Sequence, residues 1–398
     1  MIPDYFRQDI ASTVTIPGDG VSAAGTSAAQ AMASVVHALR NKDGLTVTAS
    51  ATTPVPIEAR GQWLMVQSAG STGTPKTIRR RPNSWITSFE VTRDHFGVSA
   101  TASYAVLGAV EHSLTLYGAM EALHMGSDLA VLTGLRPRAQ ISAMRDVGVQ
   151  VVYATPTQLR LLVDAGTKPV GSVRWVFCGG GKLDALTSAQ LRDLFPNAAL
   201  HEFFGASETS FMTISDTETP IGTVGRAYPG VDLRVLDRHG VDTKVVGEIW
   251  VKSPYLFDSY VNGSSPETRW QNGYLSIGEM GQLDDGGYLR VLGRKNRMVT
   301  VADHNVFPEV IEAQMRTLPN VGKCAAIPVR DATKGHVIIG IVEGPQNTEL
   351  AQGIVNACRA ALGPYATPRR ILFVDDLPML SAGKPDLIGL ENMLEQLA

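Results

Sequence analysis

The sequence has few of the residues and patterns that mark a disulfide framework, a metal centre or a membrane segment. Its three cysteines, Cys178, Cys324 and Cys358, are odd in number and lack disulfide or metal-ligand spacing, which favours a reducing, cytoplasmic setting. Its eight histidines include no HxxxH or HExxH pair, which argues against a built-in transition-metal site. No apolar run approaches the roughly 20 residues of a membrane span, and the stretch from Met1 lacks the features of a signal peptide.

The chain also lacks an excess of charge of either sign. The formal net charge of its 398 residues is −3, so the composition does not favour a nucleic acid or an anionic membrane as partner. The run Arg79-Arg80-Arg81 is a local basic cluster, and a solvated or phosphate-proximal face explains it better than a nucleic-acid patch. A hydrophobic content of 44% with 18% charged residues is typical of a soluble globular protein with room for two or three domains.

From about residue 60 to residue 205, apolar runs alternate with stretches of helical periodicity. The run Val149–Tyr153 is continuous and β-branched, as a strand buried on both faces should be. Alternation of this kind indicates an α/β fold with a doubly wound parallel sheet. The predicted strands are Trp63–Gln67, Val149–Tyr153, Arg174–Cys178 and Leu200–Phe204, and the predicted helices are Gly118–His124, Arg138–Val147, one that begins at Thr155-Pro156, and Asp184–Leu194.

Beyond residue 210 the pattern changes to short strands separated by Gly, Pro and Asp turns, and the polar stretch Gly293–Arg297 marks a boundary. We predict a large domain over residues 1–294, whose part from about residue 210 is β-rich. We predict a small α+β domain over residues 297–398, with helices near Pro308–Leu318 and Leu350–Leu362.

The stretch Gly70–Lys76 offers backbone N–H groups, three hydroxyls and one ammonium, a combination that complements a polyphosphate. It is not a Walker A loop, because Pro75 precedes the lysine and no helix signal follows at once. The alternative interpretation, a Gly/Ser-rich surface turn, fits the stretch equally well when it is taken alone. The residues that could contact phosphate are Ser71, Thr72, Gly73, Thr74 and Lys76.

Two further loops follow predicted strands, where a doubly wound sheet places its ligands. The first, Gly179-Gly180-Gly181-Lys182, would let a flat base lie against the backbone. The second, Gly205-Ala206-Ser207-Glu208, supplies a hydroxyl and a carboxylate, and Glu208 could hold Mg²⁺ against phosphate oxygens. Each loop could also be an ordinary tight turn at a strand end, but three such loops at one sheet edge favour a nucleotide site.

Taken together and in this order, the motifs are similar to those of the adenylate-forming superfamily, which includes acyl-CoA synthetases, aryl-CoA ligases, nonribosomal peptide adenylation domains and luciferases. The matching stretches run from about residue 64 to residue 386. They are Ser68–Lys76 (TSGSTGxPK), Trp175–Leu183 (GGxxL), Phe204–Glu208 (YGxTE, with Phe for Tyr and Ser for Thr), Gly222–Gly230 (VGxPxPG), Gly247–Tyr260 (GEIxxxxPxxxxGY), Gly286–Lys295 (DGYLxxxGRxxD), Val306–Glu312 (IxPxEIE) and Pro378–Lys384 (PxxxxGK).

The resemblance implies that a carboxylate attacks the α-phosphate of ATP with Mg²⁺ present, and that a thiol of CoA or phosphopantetheine, or an amine, then displaces AMP. Because two anions must meet, the site needs preorganised positive charge, a role that the resemblance gives to Lys384 on a mobile C-terminal lid. It also implies β- and γ-phosphate contacts from the Gly70–Lys76 loop. The remaining implied roles are α-phosphate and metal binding by Ser207 and Glu208, adenine contacts by Gly180, Gly181, Lys182, Phe204, Gly205 and Ala206, ribose contacts by Glu279 and Arg294, and a hinge at Asn296.

The resemblance assigns fewer residues to the acid pocket and to the second half-reaction than to the nucleotide site. His112 lies where CoA-forming members carry a histidine or aromatic residue near the acyl pocket, with Tyr117 nearby, although an ordinary helix-start histidine is the alternative. Glu279 stands in place of the family's aspartate in TGD, and Asp303 in place of a glycine beside the thiol tunnel. A side chain at Asp303 could narrow the path of a phosphopantetheine arm.

Three further hypotheses stay open at this point. The segment before the phosphate loop is shorter than in typical family members, which predicts an acid pocket that is smaller, more open, or completed by a partner subunit, for instance in a homodimer. The chain could be a non-catalytic nucleotide-binding homologue. Ser71 could instead be the nucleophile of a serine hydrolase, a reading that requires a strand–turn–helix around it. A small carboxylic acid and an acyl carrier protein are the expected partners of an active ligase.

Overall fold

The structure is a computed structural model, and it describes residues 4–8, 12–17, 27–48, 51–55, 61–68, 76–166, 168–379 and 385–396. The predicted phosphate-loop residues Ser71, Thr72, Gly73 and Thr74 lie outside the described residues, and so does Lys384. No helix in the described part of the chain is long and apolar enough to cross a membrane. The three cysteines are buried and free.

Four consecutive strands follow the first helix, and from Lys76 to Ala206 strands and helices alternate. In chain order these elements are β1 (Val14–Thr15), α1 (Ala28–Asn41), β2 (Gly44–Thr48), β3 (Ala51–Val55), β4 (Leu64–Ser68), β5 (Lys76–Arg80), α2 (Asn83–Asp94), β6 (Ser103–Val106), α3 (Ser113–Met125), β7 (Asp128–Val131), α4 (Pro137–Val147), β8 (Val151–Ala154), α5 (Pro156–Asp164), β9 (Trp175–Cys178), α6 (Ala185–Leu194) and β10 (Ala199–Ala206).

Short strands dominate the rest of the first 294 residues, and a mixed unit follows. The strands up to residue 294 are β11 (Ser210–Ile214), β12 (Arg226–Ala227), β13 (Asp232–Leu236), β14 (Gly247–Lys252), β15 (Ser259–Asn262), β16 (Arg269–Gln271), β17 (Tyr274–Ser276), β18 (Glu279–Leu283) and β19 (Leu289–Arg294). After them come β20 (Val299–Val301), β21 (His304–Val306), α7 (Pro308–Met315), β22 (Cys324–Asp331), β23 (Gly335–Glu343), α8 (Thr348–Leu362), β24 (Arg370–Val374) and α9 (Leu387–Gln396).

The largest sheet has the strand order β1-β7-β6-β8-β9-β10-β11-β12, and its strands are parallel from β1 to β10. Alternate residues of one strand enter different cores. Tyr153 of β8 belongs to a core that includes residues of α2 and α3, whereas Val152 and Ala154 belong to a core with residues of α4, α5 and α6. Both faces of the sheet are therefore covered by helices, and the predicted doubly wound α/β fold is confirmed.

Local sequence signals explain where the helices around this sheet begin. Thr155 is the N-cap of α5 and forms a capping box with Gln158, while Pro156 occupies the first turn. Asp184 caps α6 and accepts a hydrogen bond from the backbone N–H of Thr187 at 2.8 Å. Partial burial opposes the ionisation of Asp184, but its hydrogen bonds with Thr187 and Arg160 outweigh it and lower the pKa to about 2. The cap therefore stays charged at neutral pH.

A five-stranded sheet of order β15-β5-β4-β2-β3 holds the two ends of the predicted phosphate loop. Strands β4 and β5 are antiparallel, and Ser68 and Lys76 are paired neighbours. The element after the loop is thus a strand, and a helix begins only at Asn83. This arrangement lacks the strand–turn–helix context that a nucleophile at Ser71 requires, so the serine hydrolase hypothesis is not supported.

The strands between residues 210 and 294 divide among three sheets. Strands β11 and β12 extend the largest sheet, and β15 joins β5. The other strands form an antiparallel sheet of order β16-β17-β14-β18-β19, with β13 paired to β14. From residue 299 onward, β22, β23 and β24 form a separate sheet between two small cores. The domain boundary at residues 294–297 stays a prediction.

The prediction that β10 ends at Phe204 is wrong. The strand continues to Ala206, so Gly205 and Ala206 belong to the strand and only Ser207, Glu208 and Thr209 form the turn into β11. The register shifts between Phe204 and Gly205. A side chain at Gly205 would place its Cβ 1.7 Å from the carbonyl oxygen of Ser210, so only glycine allows the two strands to approach this closely.

Candidate functional site

The carboxyl ends of β6, β9 and β10 meet at one edge of the largest sheet, because these strands are parallel. Three segments leave that edge: residues 107–112 before α3, residues 179–184 before α6, and the turn at residues 207–209. The sequence places predicted ligand contacts in each of them. Two of the three predicted loops, those at residues 179–182 and 205–208, therefore lie at this edge, whereas the phosphate loop connects β4 and β5 of the five-stranded sheet.

The turn at residues 207–209 is held in a compact form by backbone contacts. The hydroxyl of Thr209, which is buried, accepts a hydrogen bond from the backbone N–H of Ala206 at 2.9 Å. The carbonyl oxygen of Glu208 accepts one from the N–H of Phe257 at 2.8 Å. These two contacts tie both sides of the turn to the protein and fix where Ser207 and Glu208 project.

A buried guanidinium lies beneath this turn. Arg80, the last residue of β5, is 1% exposed and donates to the carbonyl oxygen of Ser207 at 2.5 Å and to the hydroxyl of Ser210 at 3.0 Å. It also donates to Ser84 Oγ and to the carbonyl oxygen of Tyr255. Burial lowers the pKa of Arg80 to about 9, while the charge of Glu208 opposes that shift. Arg80 is therefore a structural cation under the candidate site rather than a solvated surface residue.

The amino terminus of α3 lies beside Ser207. The hydroxyls of Ser113, the first residue of α3, and Ser207 are 3.2 Å apart. His112 is the N-cap and is exposed, and its side chain makes no capping hydrogen bond. Tyr117, one turn further on, is buried, and its hydroxyl lies 2.8 Å from Ser88 Oγ. The roles of His112 and Tyr117 in an acid pocket stay predictions.

Tyr260 links Glu208 to Lys76. Its hydroxyl donates to Glu208 Oε1 at 2.9 Å, and Lys76 Nζ lies 6.0 Å from the centroid of its ring. Burial, and next the charge of Glu208, raise the pKa of Tyr260, so the phenol stays protonated and able to donate. Lys76 and Glu208, which are far apart in the sequence, thus share one neighbour in the structure.

The glycine-rich loop after β9 packs against β10. A Cβ at Gly179 would lie 2.2 Å from the ring of Phe203, so the loop and the strand are in close contact. Lys182 donates to the carbonyl oxygen of Thr223 at 2.9 Å and lies 3.5 Å from a carboxylate oxygen of Glu202. Gly180 has a φ of +86°. The adenine contacts predicted for Gly180, Gly181, Lys182 and Phe204 stay predictions.

The predicted ribose-binding pair forms an ion pair across two strands. Glu279 of β18 and Arg294 of β19 are paired neighbours, with Arg294 Nε 3.2 Å from Glu279 Oε1. The longer side chain of Glu279, compared with the family's aspartate, therefore reaches a cation on the adjacent strand. Their contacts with ribose stay predictions.

Asn296 is exposed in a turn whose two flanks are bound to different elements, a strand and a helix. Lys295 Nζ lies 3.2 Å from Glu248 of β14, whereas Arg297 lies 2.8 Å from Glu312 of α7. Further on, Asp303 occupies the tight turn between β20 and β21 with a φ of +66°, a conformation that favours glycine. The effect of Asp303 on a thiol path stays a prediction.

Three residues that the sequence analysis did not assign to the site are central to it. They are Arg80, Ser113 and Tyr260. Arg80 stands in a basic run followed by Pro82, and Tyr260 closes the GEIxxxxPxxxxGY stretch, but neither pattern reveals which residues they contact. Arg80 and Ser207 are 127 positions apart in the sequence, and patterns of neighbouring residues do not predict contacts at such separations.

The described residues offer one carboxylate at the candidate site, that of Glu208, as a possible metal ligand. They contain no group of three or more His, Cys, Asp or Glu side chains that could hold a metal ion. Glu208 is a half-buried carboxylate that Tyr260 orients, and Ser113 and Ser207 place two hydroxyls near its turn. A hard cation that takes one protein carboxylate and completes its coordination with phosphate oxygens and water fits this set.

Comparison with known proteins gives two family matches. The family model of AMP-binding enzymes matches residues 8–261. A second model, the AMP-binding enzyme C-terminal domain, matches residues 310–384.

Two curated relatives resemble the chain over most of its length. An uncharacterized acyl–CoA ligase, YhfT of Bacillus subtilis (strain 168), is 29% identical over 356 residues, which cover 88% of this chain and 72% of the relative. The 2-succinylbenzoate–CoA ligase of Enterococcus faecalis is 24% identical over 330 residues, which cover 80% of this chain and 67% of the relative.

Solved structures show the same fold. ATP-bound MatB from Rhodopseudomonas palustris has a TM-score of 0.74 at 23% identity, with 87% of this chain and 71% of that chain covered. The o-succinylbenzoate CoA synthetase of Bacillus subtilis, in complex with its acyl-adenylate intermediate, has a TM-score of 0.74 at 21% identity, with coverages of 82% and 68%.

Proposed function

The chain belongs to the AMP-binding enzyme family, and we propose that it activates a carboxylic acid with ATP and transfers the acyl group to CoA. In the first step a carboxylate oxygen attacks the α-phosphorus of ATP, the bond to the β-phosphate breaks, and acyl-adenylate and pyrophosphate form. In the second step the thiol sulfur of CoA attacks the acyl carbonyl carbon and AMP leaves. The named CoA ligases among the relatives support this reaction class.

The observation that carries the proposal is that Tyr260 joins Glu208, at the carboxyl edge of the largest sheet, to Lys76, the first residue of β5 in the five-stranded sheet. A triphosphate is a dense anion, and it needs positive charge and hydrogen-bond donors placed in advance. Lys76 supplies an ammonium, and Ser207 and Ser113 supply hydroxyls 3.2 Å apart. We propose that Ser71, Thr72, Gly73 and Thr74 complete the phosphate contacts from the adjoining loop.

We propose that Glu208 holds the Mg²⁺ that accompanies ATP. A bound Mg²⁺ would neutralise phosphate charge and so favour the approach of the acid carboxylate. The chain's own contribution is to keep the Glu208 carboxylate oriented through Tyr260 and to keep the turn fixed through Arg80. A structure of the o-succinylbenzoate CoA synthetase of Bacillus subtilis in complex with ATP and magnesium ion supports the same pairing of substrate and metal.

We propose that Lys384 is delivered to the α-phosphate by the unit that begins near residue 297. The ion pairs on the two sides of Asn296 support a hinge there, since Lys295 is bound to β14 and Arg297 to α7. A rotation at this turn would leave both ion pairs intact while the two units change their relative orientation. The same rotation would reorient the unit that begins near residue 297 for the second half-reaction, the transfer to CoA.

We also propose a cytoplasmic location and a small carboxylic acid as substrate. Buried free cysteines support the reducing setting. A carrier-protein phosphopantetheine is an alternative thiol acceptor, and assembly into a homodimer would complete an open acid pocket. A non-catalytic nucleotide-binding role is the competing hypothesis.

An acid screen tests the proposal directly. The chain is incubated with ATP, MgCl₂, CoA and a panel of aliphatic and aromatic acids, and AMP and acyl-CoA are measured by mass spectrometry. We expect at least one acid to yield AMP and acyl-CoA in equal amounts. AMP without acyl-CoA would direct the search for an acceptor to carrier proteins. If no acid yields AMP although ATP binds, the non-catalytic hypothesis replaces the proposal.

A further inference from the structure

Tyr260 lies beside both of the described groups that we assign to the phosphate and metal contacts, hydrogen-bonded to Glu208 and with its ring near Lys76. Its hydroxyl lies 2.9 Å from Glu208 Oε1, and its ring lies 6.0 Å from Lys76 Nζ. The resemblance to known proteins assigns no role to this residue. Its position raises the question of what the hydroxyl and the ring each contribute.

The hydrogen bonds around the hydroxyl have a fixed direction. A phenol has one proton, and a carboxylate only accepts, so Tyr260 gives its proton to Glu208. The hydroxyl of Thr268, 2.9 Å from the same phenol oxygen, must therefore donate to Tyr260. The result is a directed chain from Thr268 through Tyr260 to Glu208, which holds one oxygen of the carboxylate in a defined position.

The backbone of the same segment supports Glu208 from its other side. Phe257 donates its N–H to the carbonyl oxygen of Glu208 at 2.8 Å, and the rings of Phe257 and Tyr260 pack edge to face at 5.0 Å. Residues 257–260 thus fix both the main chain and the carboxylate of Glu208. A change in the hydroxyl alone would release the carboxylate without moving the backbone.

Lys76 is aligned by the strand that carries Tyr260. In the pairing of β15 with β5, Tyr260 lies opposite Ile78, and the side chain of Asn262 accepts from the N–H of Thr77 at 2.6 Å. A Cβ at Gly263 would lie 3.1 Å from Lys76 Cγ, so the stem of the lysine runs close to this segment. The ring of Tyr260 is therefore part of the surface along which Lys76 extends.

We infer that Tyr260 is a positioning residue that sets the carboxylate of Glu208 and the ammonium of Lys76 at a fixed separation. The inference rests on the proposed function. The hydroxyl orients the carboxylate of Glu208, the proposed Mg²⁺ ligand. The ring lies beside the ammonium of Lys76, the proposed phosphate contact. Removal of the hydroxyl should therefore weaken the part of ATP binding that depends on Mg²⁺ and spare the part that does not.

The test is ATP binding by the full chain with Tyr260→Phe, which keeps the ring and deletes the hydroxyl. Binding is measured by calorimetry with ATP alone in EDTA and with ATP over a series of MgCl₂ concentrations, and no acid is required. We expect the same affinity as the unmodified chain in EDTA. At saturating Mg²⁺ we expect about tenfold weaker binding, as for the loss of one hydrogen bond to a charged group.

Tyr274→Phe is the matched control, since Tyr274 also donates its hydroxyl to a carboxylate, that of Asp232, but on the six-stranded sheet. We expect it to leave both titrations unchanged. Thr268→Val is the second variant, and it should weaken Mg²⁺-dependent binding in the same direction by a smaller factor. If Tyr260→Phe does not fold, the ATP titrations of Thr268→Val test the inference in its place.

The outcomes separate the inference from the proposed function. If the unmodified chain does not bind ATP, or binds it without regard to Mg²⁺, the proposed function fails. If the unmodified chain shows Mg²⁺-dependent binding and Tyr260→Phe or Thr268→Val titrates identically, the inference is overturned. Equal weakening in EDTA and in Mg²⁺ would also overturn it, because that result would mean a general structural role.

Discussion

The guanidinium of Arg80 donates to the carbonyl oxygen of Ser207 across 2.5 Å, at a position where Arg80 is 1% exposed to solvent. The two residues are 127 positions apart in the sequence. The contact joins the strand that leaves the predicted phosphate loop to the turn that carries Glu208. Two parts of the candidate site are therefore connected through one buried cation.

Arg80→Met should destabilise the fold by about 3 kcal/mol, because the carbonyl oxygen of Ser207 would lose its Arg80 donor and that of Tyr255 would keep only the hydroxyl of Ser210. Urea unfolding monitored by circular dichroism measures this change. The neighbouring Arg81→Met is the control, since Arg81 is exposed, and it should change stability by less than about 0.5 kcal/mol. Equal stability of the two variants would show that the buried contacts of Arg80 are not needed.

The buried carboxyl of Glu121 should make stability depend on pH. Glu121 lies in α3 with no exposed surface, and Tyr153 donates to its Oε2 at 2.7 Å. Burial raises the pKa of Glu121 to about 8, against a value of 4.5 in the unfolded chain, while hydrogen bonds with Thr92 and Tyr153 oppose the shift. The stability contributed by the protonated carboxyl is complete below pH 4.5 and is lost as the pH rises through about 8.

Glu121→Gln should remove this dependence, because the amide does not titrate. We expect the Tm of the variant, relative to that of the unmodified chain, to rise steadily between pH 5 and pH 8.5. Differential scanning calorimetry at a series of pH values measures the difference. Parallel Tm curves for the two proteins would contradict the assignment of a raised pKa to Glu121.

Asn296→Pro should separate the two half-reactions. Proline restricts the backbone of the turn between Lys295 and Arg297, so we expect adenylate formation to change little and acyl-CoA formation to fall by about tenfold. Pyrophosphate exchange measures the first step and CoA thioester formation the second. Asn296→Ala is the control and should affect neither. A proline variant that behaves as the alanine variant in both assays would rule out a hinge at Asn296.

The fold was predictable where neighbouring residues decide the structure. The strand Arg174–Cys178 and the helix after Thr155-Pro156 follow from local apolar runs and capping residues, and both appear within one residue of the predicted start. The end of β10 was not predictable. The strand continues past Phe204 because β11 pairs with it through a bulge at Gly205, and a pairing partner is a non-local feature.

The residue types of the candidate site were predictable, but the residues that hold them in position were not. The proposed phosphate-binding and metal-binding groups occur in short motifs such as Ser207-Glu208, and a motif can be recognised without the fold. Tyr260 reaches Glu208 from 52 residues away, and Arg80 reaches Ser207 through the protein interior. Such contacts depend on how sheets pack together, which neither periodicity nor composition specifies.

We propose that Lys384 promotes attack of an acid on the α-phosphate of ATP. Acid-dependent exchange of radiolabelled pyrophosphate into ATP, compared between the unmodified chain and Lys384→Ala, measures this contribution. The assay uses an acid identified by the screen. We predict a loss of about 10²–10³-fold in the exchange rate, as for removal of one preorganised donor, with ATP binding retained. An unchanged exchange rate in Lys384→Ala would contradict the account.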